Sequence, residues 1–211
     1  MLIAIDTSAG TSVAVVDLKR GVIAERSEAD TMRHAEIVGL FIVQCLLDAN
    51  IVPADLSGVV GGMGPGPFTG LRVGIASARV FALGAGRPLV PVISHDAIAY
   101  GHYRRGHVGP LVVVTDARRR EIYWSAYSAA DAVGLPVRVG PPGLAKPADL
   151  DDPSWRHAGW RRLDAATVSA GELGMVAELS YAHQRLFAAN EPLYLRSPDV
   201  TLSNGPKRVS R

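Results

Sequence analysis

Hydrophobic and polar positions along this chain fall into two periods, and the switches between them mark the elements. Leu2 to Asp6 and Ser12 to Asp17 are short apolar runs separated by the turn signal Ala9-Gly10, which predicts a β-hairpin. Lys19-Arg20-Gly21 marks a second turn, after which Val22 to Arg26 adds a third antiparallel strand. The period then lengthens. Ile37, Leu40, Phe41, Gln44 and Leu47 share one helical stripe, with Val38, Ile42 and Cys45 beside it, so the spacing predicts a helix over 34–49 closed by Asn50. This helix is apolar over more than one face: either it is sandwiched in the core, or part of it awaits a partner.

Leu56 to Gly61 reads as a buried strand that runs into a glycine- and proline-rich loop, and Thr69 is placed to N-cap a second helix ending near Ala85. Gly70, Gly74, Ala78 and Ala82 are spaced by four along that helix. A row of small residues of this kind lets another backbone approach closely. Leu89 to Ile93 returns as a strand. From about residue 100 the pattern restarts: Leu111 to Thr115 and Ile122 to Tyr127 read as strands around Asp116, a faint echo of the opening hairpin. The stretch 132–153 reads as strand edges and loops, Gly171 to Phe187 as a helix, and the end from Ser197 as a loose tail. The expected division is an N-terminal lobe over 1–100, a smaller C-terminal lobe over 101–198 and a flexible tail over 199–211.

At 211 residues and 48% hydrophobic, the chain holds one large domain or two lobes of about 100 residues each. A net charge of +2 gives no general affinity for nucleic acid or an anionic membrane. Arg118-Arg119-Arg120 and the basic tail residues Lys207, Arg208 and Arg211 read first as solvated surface. The single cysteine, Cys45, sits among apolar neighbours and reads as a buried thiol. With no signal-peptide pattern and no window of the ~18 apolar residues that a membrane span needs, a cytoplasmic protein is expected.

The candidate chemistry concentrates in Gly61-Gly62-Met63-Gly64-Pro65-Gly66-Pro67-Phe68-Thr69-Gly70-Leu71-Arg72-Val73-Gly74. Glycines before a helix N-terminus suit an anion. Yet Gly70 is followed by Leu71 where a Walker A loop needs lysine, and the spacing of Gly64, Gly66 and Gly70 does not fit the dinucleotide fingerprint. Asp6-Thr7-Ser8, at the tight hairpin, offers a carboxylate and two hydroxyls for a phosphate or a metal-bound water. Asp6, Thr7, Ser8, Gly64, Gly66 and Thr69 are thus the candidate anion or nucleotide residues. No paired-histidine metal site is spelled: after His95, Ala99 stands one helical turn on. His95 reads as a helix-start or surface histidine, and His34 as the entry to the first helix. Asp116, Glu121 and Tyr123 read as a polar network between lobes rather than a nucleophile and its base.

Ile3-Ala4-Ile5-Asp6-Thr7-Ser8, the segment Gly64 to Gly74, Asp116 to Tyr123 and Pro192-Leu193-Tyr194-Leu195-Arg196 together resemble the TsaB (YeaZ) family of tRNA threonylcarbamoyladenosine biosynthesis proteins. The resemblance is strongest from residue 1 to about 127. It implies an α/β, actin-like (ASKHA, ribonuclease H-like) two-lobed fold with a reduced second lobe. It further implies a non-catalytic cytoplasmic subunit that supports TsaD, which transfers a threonylcarbamoyl group to the N6 of adenosine 37 in tRNAs reading codons that begin with A. TsaD as heterodimer partner and the ATPase TsaE follow from it, with tRNA met only through the complex, a homodimer formed when TsaD is absent, no cofactor on the isolated chain and ATP only in the complex. The expected docking residues are Ile37, Leu40, Phe41 and Gln44 on the first helix and Arg72, Ile75, Ala78 and Arg79 on the second. Two enzyme readings compete: an ATP-dependent kinase or ATPase using Asp6 and the glycine loop, and a peptidase, for which no Ser-His arrangement is apparent.

Overall fold

The computed structural model describes residues 1–196; the tail with Lys207, Arg208 and Arg211 lies outside the described residues. Strands β1 (Leu2–Asp6), β2 (Thr11–Asp17) and β3 (Gly21–Glu28) form the antiparallel meander expected from the turns. Then come α1 (His34–Ala49), β4 (Gly58–Gly62), α2 (Phe68–Ala85), β5 (Leu89–Val92) and α3 (Ser94–Arg104). The first sheet runs β3-β2-β1-β4-β5, with β4 parallel to both β1 and β5. Alternation on β1 and β2 decides what covers each face. Ile3, Ile5, Val13 and Val15 meet Val38, Ile42 and Cys45 of α1 and Ala78 and Ala82 of α2. Leu2, Ala4, Ala14 and Val16 meet Ala97 and Tyr100 of α3 and Leu173, Val176 and Ala177 of α5 (Ala170–Ala182). With both faces covered, the strands are apolar at nearly every position.

The second sheet contains β6 (Leu111–Asp116), β7 (Ile122–Ala130), β8 (Pro136–Arg138), β9 (Gly143–Ala145) and β10 (Arg161–Asp164), in the order β10-β6-β7-β8 with β9 also on β7. A short helix α4 (Pro147–Asp151) follows β9. Ala99 and Tyr103 of α3 pack on Leu111, Val113 and Tyr127, so α3 serves both sheets. The fold is the actin-like α/β arrangement with a reduced second lobe. Its last helix returns to the first sheet, where Ser12 Oγ, Ser169 Oγ and the Gly171 N–H all donate to Glu25 Oε1 (3.0, 2.8 and 3.1 Å).

The structure corrects several local expectations. Pro67, with extended backbone, precedes α2 as its N-cap residue and makes no side-chain cap bond; Thr69 lies inside the first turn because Phe68 is already helical. The fourth strand begins at Gly58, not Leu56, whose side chain is buried beside a 3₁₀ turn over Pro53–Asp55. The last helix stops at Ala182, since Gln184 takes a left-handed backbone at φ 52°. Strand β10 was not anticipated: Arg161-Arg162-Leu163-Asp164 shows no apolar run, because this edge strand exposes its charged side chains and pairs in parallel with β6. Helix α2 is, by length and composition, long and apolar enough to cross a bilayer, contrary to the expectation that no window would be; it lies with one face buried on the first sheet. Asn50 does close α1 with a left-handed residue at φ 53°. Cys45 is fully buried, its thiol donates to the Val13 carbonyl, and burial pushes its pKa up to about 11.

Gly174 makes the approach of α5 to the sheet testable. A Cβ there would lie 2.6 Å from Cγ2 of buried Val16, whereas a Cβ at exposed Gly84 on α2 would meet nothing within 4 Å. Gly174→Ala is expected to destabilise the protein by about 1–2 kcal/mol, the overpacking cost exceeding the gain in helix propensity. Gly84→Ala is expected to stabilise it by about 0.5–1 kcal/mol; urea denaturation of the pair measures both.

Candidate functional site

The tight turn after β1 places Asp6, Thr7 and Ser8 under the glycine loop, and all three are buried. Both carboxylate oxygens of Asp6 are occupied. Its Oδ1 accepts the Ser8 N–H (2.8 Å) and the Ser8 hydroxyl (2.6 Å), and its Oδ2 accepts the hydroxyl of Ser94, which in turn accepts the Gly64 N–H. Burial raises the Asp6 pKa, and the Ser8 and Ser94 bonds partly oppose that rise. The Thr7 hydroxyl donates to the Gly70 carbonyl at 2.7 Å.

The glycines are needed to admit this turn. A Cβ at Gly62 would collide with the Asp6 carboxylate, and one at Gly74 with the Thr7 hydroxyl. At Gly66 it would lie 2.8 Å from Ser8 Cβ, and at Gly70 2.7 Å from the Thr7 carbonyl oxygen. The row spaced by four therefore faces the chain's own hairpin. The close approach that glycine permits is taken up by protein, and Gly64 and Gly66 are buried.

Beside this closed turn a cleft of about 650 Å³ remains between the lobes, lined among others by Ser8, His34, Thr69, Gly70, Arg118 and Arg196. Of the candidate anion residues, only Ser8 and Thr69 line it. Arg118, Arg119 and Arg120 form a turn in which all three residues have positive φ (62°, 51° and 62°). Arg118 reaches the Thr31 hydroxyl across the cleft, and Arg196 pairs with Glu121 at 3.4 Å and reaches the Ala117 carbonyl. The expected network of Asp116, Glu121 and Tyr123 is not formed as one unit: Asp116 accepts the Arg118 N–H of its own turn, and the contacts that cross belong to Arg118 and Arg196. The Pro192–Arg196 segment is a strap over the loop. Leu193 N–H donates to the Met63 carbonyl, and the Tyr194 ring lies 4.7 Å from that of Phe68.

The histidines are corrected in one respect. His34 does open α1 and holds Thr11 Oγ1 at 2.8 Å. His95 begins α3 but is fully buried rather than exposed, with Ser125 and Thr115 hydroxyls at 2.8 and 2.9 Å from its two ring nitrogens. Burial, then Arg138, brings its pKa down to about 3. It pins α3 to the second sheet, and Ala99 one turn on is equally buried.

The expected docking residues divide. Ile37, Ile75 and Ala78 are buried, at 6%, 3% and 0% exposure, and support the surface from beneath. Arg72 stacks on Phe68 at 4.5 Å, and Arg79 donates to the Asn190 carbonyl and side chain. Leu40 is exposed while Phe41 and Gln44 are half-buried. The same face carries exposed Val43 and Leu47 on α1 and Val80 and Leu83 on α2. The sequence reading put Leu47 on the stripe with Leu40 but named none of these four as docking residues, because periodicity alone does not separate the sheet-facing apolar stripe from the solvent-facing one.

A profile of the family described as TsaD, tRNA N6-adenosine threonylcarbamoyltransferase, matches residues 16–137. The uncharacterized protein Rv3421c of Mycobacterium tuberculosis is 37% identical over 208 residues, covering 94% of this chain and 93% of its own. The TsaB of Escherichia coli, a tRNA threonylcarbamoyladenosine biosynthesis protein, is 30% identical over 126 residues, 60% of this chain and 54% of that one. YeaZ from Pseudomonas aeruginosa superimposes with a TM-score of 0.75 at 25% identity, over 92% of this chain and 99% of that one. The chain belongs to the TsaB (YeaZ) family. The residues that carried the resemblance are, in this TsaB-family chain, those of the closed turn, its glycines, the Asp116–Tyr123 turn beside the cleft and the strap.

Two measurements check the site. Gly74→Ala is expected to cost about 2–3 kcal/mol through its clash with Thr7, and Thr7→Ala in the same chain should recover part of that loss, giving a non-additive double-mutant cycle in urea denaturation. His95 sets a pH dependence. Its folded pKa lies below the unfolded value of about 6.5, so its contribution is present above 6.5 and is lost as pH falls, by about 1.4 kcal/mol per unit toward the folded value near 3. Between pH 7 and pH 5 the native protein should lose about 2 kcal/mol more than His95→Gln, which keeps a donor and an acceptor at this position.

Proposed function

We propose that this chain acts in the formation of N6-threonylcarbamoyladenosine in tRNA as the non-catalytic partner of TsaD, docking through the outer face of α1 and α2 to form a helical bundle. Family membership supports the pathway, and the E. coli relative is named for that biosynthesis. The observation that carries the docking surface is the exposed apolar stripe: Leu40, Val43 and Leu47 at 53%, 54% and 71%, beside Val80 and Leu83 at 69% and 83%. Five large aliphatic side chains exposed on two packed helices are apolar surface of the kind that marks a protein contact. Helices from a partner laid on this pair would complete a bundle. TsaE completes the assembly, tRNA is met through the complex, and a second copy occupies the same face when TsaD is absent.

The kinase or ATPase reading is less well supported. Both oxygens of Asp6 are bonded within the protein, and the glycines abut Thr7 and Ser8, so the turn's carboxylate and the glycine backbone are engaged by the chain itself.

Leu83→Glu and Leu40→Glu change solvent-facing positions, so the fold should persist. Each is expected to weaken association with purified TsaD at least tenfold, about 1.4 kcal/mol or more, measured by sedimentation velocity. Each should also shift any homodimer toward monomer. Unchanged association in both variants would sink this choice of surface. Threonylcarbamoylation of unmodified tRNA by TsaD and TsaE, with and without the chain, tests the role itself: turnover should depend on the chain and fall in Leu83→Glu.

A further inference from the structure

The chain's three tryptophans, Trp124, Trp155 and Trp160, meet on the face of the second sheet opposite α3. Trp124 of β7 packs with Val112 and Val114 of β6, and the segment after α4 lays Trp155 and Trp160, both half-buried, against that face. The indoles surround the ring of His157, with centroids 5.8, 5.1 and 4.5 Å away. His157 is only 5% exposed. Neither Nδ1 nor Nε2 has a hydrogen-bond partner among the described residues. Covering an apolar sheet accounts for the indoles but leaves a buried imidazole with an unmet donor and an unmet acceptor, which is costly. His157 lines a pocket of about 430 Å³ together with Val112, Leu150, Trp155, Trp160 and Arg162.

We propose that this pocket binds a nucleobase, stacked on the indole faces and bonded through its donor–acceptor edge to His157. The volume falls within the usual range for small-ligand sites, and beside the aromatic and aliphatic walls the lining carries His157 and the ion pair of Arg162 with Asp151 at 3.6 Å. Aromatic faces accept any base by stacking. A purely apolar ligand would leave both nitrogens of His157 unmet. An aliphatic cation is disfavoured, because burial and the nearby Arg156 hold the imidazole neutral and Arg156 already covers Trp124 at 5.2 Å. A neutral imidazole presents one N–H and one lone pair, which matches the paired donor and acceptor on a base edge. Exposed Arg156, over the Trp124 ring at the margin, suits an attached phosphate. The base can belong to a free nucleotide or to an unpaired position in RNA.

Because all the tryptophans line or adjoin this pocket, intrinsic fluorescence reports directly on it. The full chain is titrated with AMP and, separately, with unmodified tRNA. A saturable fluorescence change is expected with at least one of them. His157→Phe, which keeps the ring volume, should weaken binding about tenfold through the lost hydrogen bonds. Trp160→Phe, which keeps a stacking face, should stay within about threefold of the native affinity; circular dichroism verifies that both variants fold. Much tighter binding of tRNA than of AMP assigns the site to an RNA base, and comparable affinity assigns it to a free nucleotide. The proposal is overturned if neither probe gives a saturable change at millimolar AMP or micromolar tRNA, or if a saturable change persists undiminished in folded His157→Phe.

Discussion

The seating of the Asp6-Thr7-Ser8 turn against a row of glycines is the constraint on which the rest of the molecule depends. Gly62, Gly66, Gly70 and Gly74 each sit where a side chain would strike that turn, so strand β4, the loop and the first two turns of α2 are placed by contact with the opening hairpin. Ser94, at the start of α3, joins Asp6 from the other side. One buried carboxylate thus ties together the ends of β1 and α3 and, through the Gly64 N–H, the loop between β4 and α2. The direction of α2 follows from this contact, and with it the orientation of the apolar face that α2 shares with α1.

That arrangement changes the meaning of a glycine-rich loop before a helix. Glycine permits close backbone approach, but the residue type does not say what approaches. Here the neighbour is the chain's own hairpin, and Ser8 and Ser94 bond the two oxygens of Asp6. The strap from Pro192 to Arg196 closes the loop from outside through Leu193 and Tyr194. The open part of the cleft lies to one side, between Thr69 and Arg118. The loop is packed against the hairpin, while apolar surface is left exposed on the outer helices.

Much of the fold was legible from the sequence because periodicity and turn chemistry agreed. The apolar runs Leu2 to Asp6 and Ser12 to Asp17, set off by Ala9-Gly10 and Lys19-Arg20-Gly21, carry the meander, and Asn50 ends α1 in the left-handed backbone that a closing residue commonly adopts. Elements that break such patterns were not legible. Strand β10 is charged because it is an edge, and the end of α5 is set by the backbone of Gln184 while the apolar spacing runs on to Phe187. The site was legible only as a list of residues. Nothing local in the sequence joins Asp6 to Ser94, which are 88 positions apart, or separates buried Ile37 and Ala78 from exposed Leu40 and Leu83. A helix with apolar residues on two faces signals that one of them is spare, and only the packed sheet shows which.

Hydrogen–deuterium exchange of the full chain, alone and with saturating TsaD, tests most directly the claim that the glycine loop is internal and the outer helices are the working surface. Protection should appear in peptides over 39–47 and 76–84, while those over 6–8 and 61–66, already closed by the hairpin, should exchange slowly in both states and change little. Protection gained over 6–8 and 61–66 with the two helices unchanged would contradict it.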